Sequence, residues 1–304
     1  MSTINAPLRD GDLHTLPSCV MLRELMERYT TDQLVNETPE ALEKHLRDLV
    51  GRVDPDSEGY RDPSRQRDLS IKYHWGHNHD FGAFSLEGRM HDRHIHLLAS
   101  FMDGFGLSPD EIQGARILDI GCWTGGTSLL LAAMGAHVHA IEEVRKYADT
   151  VSYLAHAFGV EDHLTCERRS LYECDTPEFR DRFDLVLYAG VLYHVTDPIL
   201  SLRICFNALR DGGRCLLETA VVRSDECVLQ YDGPSRTYAG SVDDLDRGGW
   251  NWFVPSGNAL CAMLDDVGFE RVDLHAHPPR AHAIATRVSH VDICRAGLSV
   301  PAIP

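Results

Sequence analysis

The stretch Ile117-Leu-Asp-Ile-Gly-Cys-Trp-Thr-Gly-Gly126 decides the fold. Arg116 to Ile120 predict a buried strand, Gly121 and Gly125 let the backbone turn tightly beneath a ligand, and Thr127 to Met134 predict the helix that follows. A second apolar run, His137-Val-His-Ala-Ile141, ends in Glu142, 21 residues after the first glycine. A carboxylate there accepts both hydrogen bonds of a ribose diol. Together these pieces predict a nucleotide-binding β-α-β unit.

Working outward, the alternation of strand and helix begins at Gly114. Strands are expected near 116–121, 137–142, 164–168, 184–189, 213–220, 269–276 and 283–294, which implies a parallel-type sheet covered on both faces. Upstream, Pro17 to Tyr29 and Pro39 to Val53 carry apolar residues at helical spacing, among them Leu42, Leu46, Leu49 and Val50. Residues 1–12 read as a tail and 54–70 as a polar linker with Pro55, Gly59 and Pro63. The predicted division is an N-terminal helical extension and lid over 1–110 and a Rossmann-like α/β domain over 111–304. Its segment 222–255, rich in Asp, Gly and Trp, reads as an insertion over the site mouth.

A dinucleotide pyrophosphate needs glycine at the position of Trp123, which disfavours NAD and FAD. Asp119 and the pattern Asp-x-Gly-x-x-x-Gly suit a cofactor without phosphate whose ammonium needs a carboxylate, such as S-adenosylmethionine. Leu118-Asp-Ile-Gly-Cys122, Gly190-Val-Leu-Tyr-His194 with Asp197-Pro198, Leu216-Leu-Glu-Thr-Ala220 and Asn251-Trp-Phe-Val-Pro-Ser256 follow one another over about 85–275. In that order and spacing the chain resembles the class I S-adenosylmethionine-dependent methyltransferases, in particular the group that builds 5-oxyacetyl or 5-methoxy uridine at the tRNA wobble position. The resemblance implies a seven-stranded sheet with the last strand antiparallel.

The same resemblance places Tyr193 at the methionine end of the cofactor and the adenine beside Ser170 and Leu171. The cofactor contacts expected are therefore Asp119, Gly121, Cys122, Gly125, Glu142, Ser170, Leu171, Ala189 and Tyr193. Arg89, with Arg93 as the other choice, would pair with the methionine carboxylate. Relatives that use carboxy-S-adenosylmethionine carry an upstream Lys in a basic-Gly-Pro-Phe context. The corresponding stretch here, His77-Asn-His-Asp-Phe-Gly-Ala-Phe84, lacks it, so ordinary S-adenosylmethionine is expected.

A sulfonium donor leaves the protein to align the reactants, exclude water and free the acceptor lone pair. His194 is the candidate base, since a neutral imidazole takes a proton near pH 7; packing at a strand end is the competing account. Tyr193 is the second catalytic candidate. Asp197-Pro198 and Ser256 read as helix caps. Tyr73 and Trp75, in a segment dense in His, Arg and aromatics, would wall the sulfonium by cation–π contact. With His94, Glu218, Trp250 and Trp252 they form the expected acceptor side; core packing explains Glu218, Trp250 and Trp252 equally well, and a solvated helix start with polar decoration is the competing account of the segment that holds Tyr73, Trp75 and His94. The histidines between His74 and His96 match no zinc template, so no metal is expected.

Across 304 residues, 46 Asp and Glu against 29 Lys and Arg give a formal charge of −17. Such a surface repels phosphate backbones and anionic lipid, which makes nucleic acid an unlikely partner, though Arg61, Arg65, Arg67 and Lys72 form a small basic exception. The odd number of cysteines without CxxC, the lack of a leader and the lack of a long apolar run predict a cytoplasmic protein with reduced thiols. The expected activity is methyl transfer to an O, N or thioether S atom of a small polar metabolite. The alternatives are a tRNA wobble-uridine methyltransferase and a non-catalytic cofactor-binding regulatory protein. The N-terminal helices pack on their own sheet or on a second subunit, so a homodimer stays open.

Overall fold

Seven strands carry the molecule: β1 (Arg116–Ile120), β2 (His137–Glu142), β3 (Leu164–Arg168), β4 (Phe183–Ala189), β5 (Leu209–Ala220), β6 (Arg271–His277) and β7 (Arg280–Thr286). The computed structural model describes residues 3–4, 17–53, 72–233 and 251–289. The sheet order is β6-β7-β5-β4-β1-β2-β3, with a two-residue strand, Thr3–Ile4, added parallel to β6 at the edge. β7 runs antiparallel to both β5 and β6, while β5, β4, β1, β2 and β3 are mutually parallel. This is the Rossmann-like arrangement with an antiparallel last strand that the sequence predicts.

Successive strand residues point to opposite faces, and here both faces are apolar. Ile117, Leu185, Leu187, Leu216 and Ile284 enter one core; Leu118, Ile120, Val186, Leu217 and Ala283 enter the other. Each fully buried Leu or Ile contributes roughly 1.5–3 kcal/mol. The first core is closed by α1 (Pro17–Met26), α2 (Pro39–Leu49), α3 (Arg93–Phe105), α4 (Gly126–Ala133) and α5 (Arg145–Ala157). The second is closed by α6 (Pro198–Ala208) and α7 (Gly257–Val267).

The N-terminal helices share the sheet's core. Cys19, Leu22, Leu42 and Leu46 are fully buried in the cluster that holds Ile117 and Leu130, so the extension has no core of its own. Local chemistry sets their ends. Thr38 caps α2 by accepting from the Ala41 N–H at 3.2 Å, with Pro39 in the first turn. Ser256 caps α7 through the Ala259 N–H, also at 3.2 Å, and left-handed Gly268 ends it. Asp197 occupies the N-cap position of α6 but makes no capping bond: its carboxylate accepts from Thr196 Oγ1 instead, because φ −124° and ψ 76° aim it away from the helix. The last strand begins earlier than the sequence suggests, at Arg280, because its pairing with β6 starts directly after Pro279.

The linker 54–70 with its basic residues, most of the 1–12 tail, Trp250 and the middle of the insertion lie outside the described residues. The flanks of the insertion form an antiparallel ribbon, Leu229–Tyr231 with Phe253–Pro255. No helix among the described residues is long and apolar enough to cross a membrane.

Candidate active site at the carboxyl ends of the strands

The loop after β1 is shaped by three consecutive demands on the backbone. Gly121 (φ +70°), Trp123 (φ +52°) and Gly125 (φ +79°) all occupy the left-handed region. A Cβ at Gly121 would stand 2.6 Å from Val191 Cγ2, so only glycine fits there. Trp123 adopts the conformation of a glycine at a cost of roughly 1–2 kcal/mol. Two contacts offset it: the Trp123 N–H donates to Glu142 Oε2 at 3.0 Å, and the indole packs edge-on against the rings of His77 and Tyr147.

Glu142 is buried at the end of β2, where Oε1 accepts from the Val144 N–H and Oε2 from the Trp123 N–H, both at 3.0 Å. Asp119 is buried beneath the loop and accepts from Ser128 Oγ at 2.5 Å. Burial raises its carboxyl to about 6, with the Ser128 hydrogen bond opposing. Cys122 places Sγ 3.8 Å from Cys166 Sγ. At the end of β3, the Ser170 N–H donates to Glu173 Oε2 at 3.0 Å, and Leu171 is buried beside it. Ala189 ends β4 opposite Glu218 of β5, and the Gly190 N–H donates to the Glu218 carbonyl.

Glu218 corrects the sequence reading. It is 2% exposed, and its two carboxylate oxygens accept from Arg93 Nη2 and Arg280 Nε, so it is the buried centre of an ion-pair cluster rather than an open carboxylate at the strand end. Burial alone would raise its carboxyl, but the two guanidinium groups outweigh that and hold it below its ordinary value. Arg280 also lies over the Tyr193 ring at 5.1 Å. Gly190, at φ +75°, leaves a niche: a Cβ there would meet the Arg93 guanidinium at 3.4 Å and the Tyr193 hydroxyl at 3.6 Å. Arg93 and Arg280 were the residues that sequence reasoning undervalued or missed. Arg89, the first choice for the methionine carboxylate, is exposed.

His194 sits on the exposed rim, its ring 4.2 Å from that of Tyr193. Trp252 anchors the ribbon by donating its N–H to the Tyr193 carbonyl at 2.7 Å. Tyr73, Trp75 and His94 are corrected as well. All three are buried in core packing: the Tyr73 hydroxyl shares a hydrogen bond with Thr150 Oγ1 at 2.8 Å, Trp75 packs on Phe81, and His94 packs on His77. The segment is pressed onto the glycine loop, where the Gly76 N–H donates to Thr124 Oγ1 at 3.0 Å. No group of three or more metal-ligating side chains is found among the described residues.

Comparison with known proteins identifies the fold and the family. A tRNA U34 carboxymethyltransferase of Idiomarina loihiensis is 29% identical over 181 residues, covering 55% of this chain and 49% of that protein. One from Alcanivorax borkumensis is 35% identical over 160 residues, covering 52% and 46%. The chain spans about half the length of the curated relatives it matches. The solved N-terminal domain of EvdMO1 with SAH bound shares the fold at TM-score 0.51 and 18% identity, covering 71% of this chain and 92% of that one. The family model described as a methyltransferase domain matches residues 89–274, from just before α3 into β6. Because that match takes in the glycine loop, Glu142, Tyr193 and Glu218 in one frame, the chain belongs to the methyltransferase-domain family, for which S-adenosylmethionine is the cofactor.

Proposed function

We propose that this chain transfers a one-carbon group from S-adenosylmethionine to the wobble uridine of tRNA. The observation that carries the reading is the set of relatives at 26–37% identity, each named tRNA U34 carboxymethyltransferase, aligned over part of this chain.

The site residues suit the cofactor. The positive-φ loop at Gly121 and Gly125 brings backbone rather than side chain to the ligand, and Glu142 stands as a carboxylate at the end of β2, the position suited to a ribose diol. The bound sulfonium supplies an electrophilic methyl group. Glu142 orients the ribose, and the ribbon carrying Trp252 and Phe253 shields the strand ends from water. Arg93 and Arg280 share the single carboxylate of Glu218, so the cluster keeps a net positive charge beside Tyr193. That charge suits an anionic partner such as an RNA phosphate. A hydroxyl acceptor must lose a proton, and the Tyr193 hydroxyl and the His194 ring are the titratable groups at that edge.

The second reading, methyl transfer to a small polar metabolite, is favoured by the charge of −17, which opposes RNA binding. Labelled methyl from S-adenosylmethionine, offered with purified protein to bulk tRNA and to a small-metabolite fraction, separates the two. Label in tRNA, mapped to position 34, supports the leading reading; label confined to metabolites replaces it with the second.

A further inference from the structure

Helix α4 starts at Gly126, and a Cβ added there would lie 2.8 Å from His77 Nδ1. The imidazole therefore presents its Nδ1 edge to the first turn of the helix that follows the glycine loop. His77 is 8% exposed, and Nδ1 has no hydrogen-bond partner among the described residues. A buried donor without a partner is costly, and a ligand that accepts from it recovers that cost.

The helix end makes the same demand. Gly125 offers no side-chain cap, and the ladder begins with the Leu129 N–H donating to the Gly125 carbonyl. The preceding first-turn N–H groups lack intrahelical partners and carry the positive end of the helix dipole, a ready anion site. The ring is fixed in place. The backbone of His77 lies where a Cβ on Gly88 would stand only 2.2 Å away, and the ring is held 4.8 Å from His94 and 5.9 Å from Trp123. Arg93, a cation near this face, donates to Glu218.

We propose that His77 donates from Nδ1 to the carboxylate of the cofactor's amino-acid end, with the first-turn N–H groups of α4 sharing that anion. This rests on the S-adenosylmethionine reading of the site. Burial, with His94 and Arg93 adding to it, holds the imidazole well below its ordinary pKa, so the ring is neutral at pH 7 and brings no charge into the core.

The test compares S-adenosylhomocysteine, which has the amino-acid carboxylate, with 5′-methylthioadenosine, which lacks it, by calorimetry on the full chain. His77→Ala should weaken S-adenosylhomocysteine about 10- to 100-fold, the size of one hydrogen bond to a charged group, and leave methylthioadenosine within about 3-fold. His77→Asn, whose amide nitrogen reaches toward the Nδ1 position, should recover most of the loss. Equal weakening of both ligands, or of neither, overturns the assignment. Failure of the wild-type chain to bind either ligand overturns the cofactor reading and this proposal with it. Retained methylthioadenosine binding by the Ala variant shows that the pocket is still folded.

Discussion

Replacing Glu218 with Gln tests the charge cluster at the strand ends directly. Breaking a dry buried ion pair by removing one partner costs about 3–5 kcal/mol. Here Arg93 and Arg280 keep 26% and 33% of their side-chain surfaces exposed, so water takes up part of the loss, and Gln retains one acceptor oxygen. About 2 kcal/mol should remain. At roughly 2–4 °C per kcal/mol for a chain of this size class, the melting temperature at pH 7 should fall by about 4–8 °C. The pH dependence is also fixed in sign. The folded-state pKa of Glu218 is depressed, so its stabilisation is fully present above the unfolded value of about 4.3 and is lost as pH falls through the folded value. Thermal melts of wild type and variant should therefore differ by a constant gap from pH 6 to 8, a gap that shrinks once pH falls below the unfolded value and closes below the folded one. Coincident melts at pH 7, or a gap that survives undiminished into acid, would refute the reasoning.

Other consequences follow from the same geometry. Asp119→Asn should melt higher than wild type at pH 7.5, by at most about 2–3 kcal/mol for a shift of about two units. The folded carboxyl, raised to about 6, binds its proton more tightly than the unfolded one, so wild-type stability falls as pH rises from about 4 to 6, and the advantage of Asn should vanish below pH 4. The same variant should bind S-adenosylhomocysteine more weakly, as calorimetry would report. Gly121→Ala should cost at least about 1–2 kcal/mol from its positive φ alone, with the Val191 contact adding to it; an unchanged melt would contradict the loop geometry. Tyr193→Phe should lower turnover more than His194→Ala, since the Tyr193 hydroxyl faces the niche at Gly190 while His194 stands on the exposed rim. A loss of 100-fold or more in His194→Ala, the scale of a general base, would reverse that order.

Much of the fold was readable because its signals are local. Gly121 and Gly125 announce tight turns, the apolar runs around them announce buried strands, and Glu142 falls at a strand end through spacing alone. Thr38-Pro39 and Ser256 mark helix starts because a cap needs only its own next turn. Even Trp123 marks a position where a dinucleotide site wants glycine; that it keeps the glycine-like turn was decided by rings that close on the indole from distant segments.

The candidate site was legible to the depth of one loop and no further. His, Arg and Trp between 72 and 94 look like an open lid in sequence, because polar and aromatic residues at irregular spacing give no periodicity to assign a face. Tertiary packing turns them inward: Tyr73 meets Thr150, 77 residues on, and Gly76 meets Thr124, 48 residues on. Arg93 and Arg280 meet at Glu218 across 125 and 62 residues, and no local rule pairs them. The sequence by itself determined the β-α-β unit, the glycine turns and the placing of the Glu142 carboxylate at a strand end, since each depends on dihedral preference and spacing along a few residues. Only the tertiary structure decided which cations share Glu218, which aromatics are core, and that His77 stands at the start of α4, because those outcomes depend on which remote surfaces the closed sheet presses together.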